Sequence, residues 1–242
     1  MRLIALASAI FLLLACTKKP SPFLRYTSEA LQHKLPDSLK ASIDLSFETE
    51  SESGSLSGTL FSVPGERYRM ELRGPLGMSA ASVFWKDSNW SIIIPSEELI
   101  WKGRGKELPT PIPGLKSINI HQLVSTLWGD ILGPGWEKSK KISQDSLSHW
   151  RWQNENIFYK ATMNQKTGHI YTHSQQKKSE HLVITLKDYQ EHPPYVIPTE
   201  VTFAIGKTSL TLEISQVDYQ PSWKPRLWKL REPSSFQTID WN

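Results

Sequence analysis

The chain has 242 residues, 38% of them hydrophobic and 21% charged, with a formal net charge of +4. Its Lys and Arg residues are scattered among acids instead of forming blocks, which excludes the electrostatic footprint of a nucleic-acid binder. The single cysteine, Cys16, excludes an intramolecular disulfide.

Arg2 leads into an apolar run over residues 3–14 that only Ser8 interrupts, the charged and apolar regions of a secretory signal in order. The run is too short for a membrane span, which needs about 20 apolar residues. Leu13-Leu14-Ala15-Cys16 then matches the lipobox of bacterial lipoprotein precursors. Residues 1–15 are therefore expected to be removed and Cys16 to carry a diacylglyceryl group and an N-acyl chain, with no other cofactor. The alternative, an ordinary signal with an incidental cysteine, leaves a lone thiol in an oxidising compartment. Several acyl chains hold a protein on its membrane, because each buried methylene contributes about 0.8 kcal/mol. Asp after the cysteine tends to retain a lipoprotein in the inner membrane; Thr17 stands there, so the outer membrane, on its periplasmic side, is expected. Removing residues 1–15 takes away Arg2 and no acid, lowering the net charge from +4 to +3. Lys18 and Lys19, beside the anchor, favour anionic headgroups.

Residues 16–38 are rich in Lys and Pro and read as a lipidated tether, with one short helical turn around 28–34. Strict alternation begins at residues 41–50, where Ile43, Leu45 and Phe47 alternate with Ser42, Asp44, Ser46 and Glu48, the period of a half-buried strand. Residues 54–63 form its hairpin partner, and 67–73 place Tyr68, Met70 and Leu72 on one face. Gly74-Pro75-Leu76-Gly77-Met78 breaks the pattern and predicts a loop. Strands resume at 80–86, 90–94 and 99–102, with a turn near Asp87-Ser88-Asn89. Three prolines exclude regular structure over 106–114. An amphipathic helix is predicted over about 119–132, capped by Asn119 and burying Ile120, Leu123, Val124, Leu127, Trp128 and Ile131. Further strands are predicted at 148–153, 157–163, 170–174, 181–188, 196–205 and 209–217, followed by an irregular tail over 218–242. The expected fold is mainly β: a half-open antiparallel β-barrel, or strongly curved sheet, with a helical lid over its concave face.

Three segments carry a family likeness. Residues 68–77, Tyr-Arg-Met-Glu-Leu-Arg-Gly-Pro-Leu-Gly, resemble the strand and Pro-Leu-Gly loop of the LolA/LolB lipoprotein-carrier family, and within it the LolB-like, lipid-anchored outer-membrane receptors. Residues 83–101 are similar to its next strands, and 118–133 to its helical lid with a Leu-Trp-Gly segment. As a strand order the likeness covers about 39–217, the expected LolB-like barrel domain. It implies a monomeric carrier whose apolar cavity holds client acyl chains, which it accepts from a periplasmic LolA-like carrier and inserts into the outer membrane. In the family the loop leucine protrudes and helps place the client; by motif that residue is Leu76, with Met78 extending an apolar tip formed by 74–78. The other reading of Leu76 is an ordinary turn anchor packed under its own loop. Met70, Leu72, Trp85, Trp90, Ile92, Ile94, Trp101, Leu123, Leu127 and Trp128 are the candidate cavity lining, although they could equally be solid core. The chain is longer than a typical family member, its Pro-rich segment near 108–115 is unusual, and its tail has no counterpart. A structural or assembly lipoprotein of the same fold, binding a protein partner without transfer, is the alternative function.

Catalysis is not expected. Gly54-Ser55-Leu56-Ser57-Gly58 superficially resembles a nucleophile elbow but has Leu56 where Ser is required, and reads as part of a Ser-rich hairpin. His149, His169, His173 and His181 lack a recognised metal-site spacing and read as exposed strand histidines, so no metal is expected. Glu97-Glu98 reads as a turn.

Overall fold

The computed structural model describes residues 37–110, 119–128, 131–132, 135–142, 146–164, 166–178, 180–192, 195–219 and 223–241. The signal, Cys16 and the helical turn expected at 28–34 lie outside them.

Alternation of apolar and polar residues builds one 14-stranded sheet. Its first half is a meander of β1 (Leu39–Glu48), β2 (Ser53–Val63), β3 (Arg67–Arg73), β4 (Ser79–Lys86), β5 (Asn89–Ile94) and β6 (Leu99–Arg104). Its second half runs from a two-residue β7 (Lys140–Lys141) through β8 (Leu147–Asn154), β9 (Ile157–Asn164), β10 (Ile170–Lys177), β11 (Glu180–His192), β12 (Tyr195–Ile205) and β13 (Thr208–Tyr219). β1 pairs antiparallel with β13 and joins the halves. The order places β6 and β7 toward opposite edges, so the chain between them must cross the open side of the curved sheet.

That crossing contains α1 (Ile120–Thr126), whose Ile120, Leu123, Val124 and Thr126 are buried. Asn119 caps it: its Oδ1 accepts from the N–H groups of His121 and Gln122 at 2.9 and 3.3 Å. The helix is about half the expected length and makes a plug instead of a long lid. The Ser125 and Thr126 hydroxyls donate back to the Gln122 carbonyl, at 3.2 and 2.8 Å, in competition with the backbone ladder. The next N–H groups then bond three residues back, Leu127 to Val124 and Trp128 to Ser125, tightening the end of the helix.

The concave face is a continuous apolar core that includes Ile43, Met70, Val83, Ile92, Leu123, Trp152, Phe203 and Leu212. One glycine of the Ser-rich strand is required by strand approach: a Cβ on Gly58 would lie 2.1 Å from the Glu71 carbonyl oxygen.

The expectation of an irregular tail is corrected. β13 continues to Tyr219, 225–228 form a 3-10 turn, and β14 (Gln237–Trp241) pairs with β6, the sheet's one parallel ladder among the described residues. Getting from β13 to the far side of β6 takes the tail across six strands. It crosses on the convex face: Arg69 Nη1 donates to the Leu227 carbonyl at 2.7 Å, Trp223 meets Phe61 edge-on at 5.4 Å, Arg67 lies 4.6 Å over Trp228, and Lys102 pairs with Glu232 at 2.8 Å. Ile93 and Ile100, register partners that point to this face, are buried although they stand outside the concave core. No local period announces a parallel edge strand, because its partner β6 stands more than 130 positions earlier.

Candidate functional site

The loop between β3 and β4 is built by Pro and Gly. Pro75 starts a 3-10 turn over Pro75–Gly77, the Gly74 N–H donates to the Met78 carbonyl at 2.8 Å, and the Gly77 N–H donates to the Gly74 carbonyl at 3.2 Å. At its tip Leu76 has φ 62° and ψ 14°, a left-handed conformation that costs a non-glycine residue roughly 1–3 kcal/mol. Its side chain is 98% exposed and that of Met78 is 65% exposed. Leu76 therefore does not pack under its own loop; it projects from the end of the sheet on an ordered turn.

Of the candidate cavity residues, Met70, Leu72, Trp85, Trp90, Ile92, Ile94, Leu123 and Leu127 are buried together on the concave face. Trp101 and Trp128 are half-buried against that cluster, and Trp101 stacks near Trp241 of β14 at 5.7 Å. Trp85 and Trp128 border a cavity of about 260 Å³, together with Tyr68, Arg67, His121, Val124 and the β2–β3 turn 62–65. None of the other eight candidates borders it. The space is slightly below the roughly 300–1,000 Å³ typical of pockets for drug-sized ligands. Tyr68, Trp85 and His121 stack at its wall, with Trp85 4.5 Å from His121 and 5.8 Å from Tyr68. The Tyr68 hydroxyl is buried without a hydrogen-bond partner among the described residues, and burial pushes its pKa well above the ordinary phenol value.

A second aromatic cluster lies in the other half. Trp152 of β8 and Tyr159 of β9 are register partners with rings 5.2 Å apart, and His173 of β10 lies 5.6 Å from Trp152. His173 is 0% exposed, so the expectation of exposed strand histidines fails here: inward alternation places it where an apolar residue would stand. Neither of its ring nitrogens has a hydrogen-bond partner among the described residues, and desolvation lowers its pKa to about 4. His149 and His181 are exposed, and His169 stacks on Tyr189 at 4.2 Å. Among the described residues no three of His, Cys, Asp and Glu come close enough to hold a metal ion, and no helix is long and apolar enough to cross a membrane. Glu97 and Glu98 end a 3-10 turn, Glu98 in the left-handed region.

No family model matches the sequence, and no curated protein sequence matches it. The fold does have relatives among solved structures. A domain from Vibrio parahaemolyticus described as outer-membrane lipoprotein-sorting superimposes with a TM-score of 0.59 at 9% identity, covering 85% of this chain and 95% of that one. A LolA superfamily protein from Nitrosomonas europaea gives 0.58 at 11% identity, with 85% and 98% covered. A DUF1329 family protein from Desulfovibrio piger gives 0.61 at 8% identity, with 88% and 98% covered. The chain, a large curved open β-sheet, thus shares its fold with these three structures; such identities speak to fold alone.

Proposed function

We propose that this protein is a lipid-anchored carrier of the bacterial envelope that accepts the acyl chains of client lipoproteins from a periplasmic LolA-like protein and inserts them into the outer membrane, in the manner of LolB. The observation that carries this reading is Leu76: a leucine almost wholly in water, held in a strained backbone on an ordered turn. Moving such a side chain from water into the acyl boundary of a bilayer is worth about 1.5–3 kcal/mol, and Met78 adds to it. Anchoring through Cys16, residence in the outer membrane and the monomeric state belong to the same proposal, which assigns the protein no catalytic role. Acyl chains would enter beside Tyr68, Trp85, His121 and Trp128, where the core is incomplete.

The test is transfer of a triacylated lipoprotein from a carrier to outer-membrane vesicles. Leu76→Glu is expected to block release into the vesicles while leaving acylated-peptide binding intact; equal transfer by the variant and the parent protein overturns the role of the loop. A second reading has an observation of its own. Eight of the ten candidate lining residues are buried in the concave core, which suits a structural or assembly lipoprotein that binds a protein partner. Native mass spectrometry with a triacylated peptide and its unacylated twin separates the two, since a filled core takes up neither.

A further inference from the structure

The convex face carries a second site. Where the C-terminal strap crosses β1, β2 and β3 it leaves an open cleft of about 920 Å³, lined by Lys40, Arg69, Lys224, Arg226, Lys229 and Arg231. Asp218 is the one acidic residue on its wall. Arg69 is occupied by Glu71, which also accepts from Ser82 Oγ at 2.6 Å. The other five cations have no carboxylate within ion-pair distance among the described residues.

Cations brought together without counter-charges repel one another, so a free segment of this composition would spread. Here the strap is tied down. The Leu227 and Lys229 carbonyls accept from Arg69, Trp223 and Trp228 turn inward onto Phe61 and Arg67, and Glu232 pairs with Lys102. The aromatic side of the strap is spent on the sheet, and Lys224, Arg226, Lys229 and Arg231 are left exposed. This is a preorganised array of donors, with the chemistry that recognises phosphate oxygens.

We propose that this cleft binds the phosphates of anionic phospholipid headgroups and holds the protein's side against its membrane without inserting apolar groups. The choice of membrane as the source of phosphate rests on the anchored reading above. Lys40 lies on the cleft wall and β1 begins at Leu39, so the segment leading from Cys16 joins the sheet at this corner. Lys18 and Lys19 on that segment carry the same charge. The Leu76 loop follows the far end of β3, whose Arg73 is roughly 13 Å along the strand from Arg69 at 3.3 Å per residue, so the two contacts are separable.

The experiment uses the unlipidated chain from Thr17 onward, which contains every described strand, and measures retention on vesicles of phosphatidylcholine alone and of phosphatidylcholine mixed with phosphatidylglycerol. Retention only on the anionic vesicles, weakening as salt is added, is the expected result. Lys224→Glu with Arg226→Glu and Arg231→Glu should reduce it by on the order of 100-fold or more, and the matching Gln triple variant by less. Both should keep the parent's thermal midpoint and its binding of acylated peptide. Equal retention on both vesicles, or a triple variant that binds like the parent, overturns the site. Displacement from vesicles by dilute glycerol phosphate or inorganic phosphate reassigns the cleft to a soluble phosphate ligand and overturns the lipid source. Capture by polyglutamate that anionic vesicles cannot reverse makes it a docking site for an acidic protein, which also overturns the proposal. Acylated-peptide binding, followed in parallel, reports on the carrier reading independently of all these outcomes.

Discussion

Leu76 departs twice from what a leucine chooses in isolation, in its left-handed backbone and in its exposure. The two are separable. Leu76→Asn puts a residue tolerant of the left-handed region on the same turn, so the thermal midpoint should stay level or rise by about 2 °C, while delivery of client into vesicles falls as with Glu. Loss of delivery with unchanged stability locates the effect in the apolar tip; retained delivery refutes it. His173 gives a second prediction. Its folded pKa of about 4 lies below the 6.5 of an unfolded histidine, so between these values the unfolded chain binds a proton that the folded chain refuses. Its contribution is therefore fully present above about pH 6.5 and is lost progressively as pH falls toward 4, by up to about 3 kcal/mol at 1.36 kcal/mol per unit. Denaturant titrations across that window should show the slope in the parent protein and a flatter profile in His173→Phe. The ring volume is similar, and Trp152 and Tyr159 offer stacking partners for phenylalanine.

Among the elements, α1 depends on one residue more than its length suggests. Asn119 Oδ1 accepts from three N–H groups, those of Leu108, His121 and Gln122, and Nδ2 donates to the Lys106 carbonyl at 2.8 Å. Asn119→Ala should cost about 1–2 kcal/mol, measured as a shift in denaturant midpoint, and should loosen both α1 and the segment before it in hydrogen exchange. The strap is the other element with a testable energy. Ending the chain after Tyr219 removes β14 from the edge of β6 and uncovers Phe61, Ile93 and Ile100. Partial burial of its three tryptophans and these side chains predicts a loss of about 3 kcal/mol together with a new tendency to self-associate through the opened edge. A truncated protein of unchanged stability would show that the strap merely rests on the sheet.

At the scale of the whole molecule, a long acyl chain entering beside α1 must displace something. A cavity of about 260 Å³ is small for such a chain, and Tyr68, Trp85 and Val124 on its wall belong to the buried core. Loading with a triacylated peptide should therefore raise hydrogen exchange in α1 and the β2–β3 turn while leaving the centre of β1, β13 and β12 protected. The amino-acid sequence by itself determined most of the strands, because a residue's face in a strand depends on its parity alone. The pattern Tyr68, Met70, Leu72 is inward for the same local reason that Arg67, Arg69, Arg73 is outward. It also marked the Pro-Leu-Gly turn, since Pro and Gly act through their own backbone dihedrals, and the Asn119 cap, whose partners are two and three residues away. Three-dimensional packing was needed to show that Leu76 projects into water, that eight of the ten cavity candidates are buried together, and that His173 is sealed between aromatic rings. It alone revealed the strap, the parallel β14 and the cationic cleft beneath it. Each of these depends on groups far apart in the chain meeting in space, as Arg69 meets Leu227, and a local period carries no information about such a meeting.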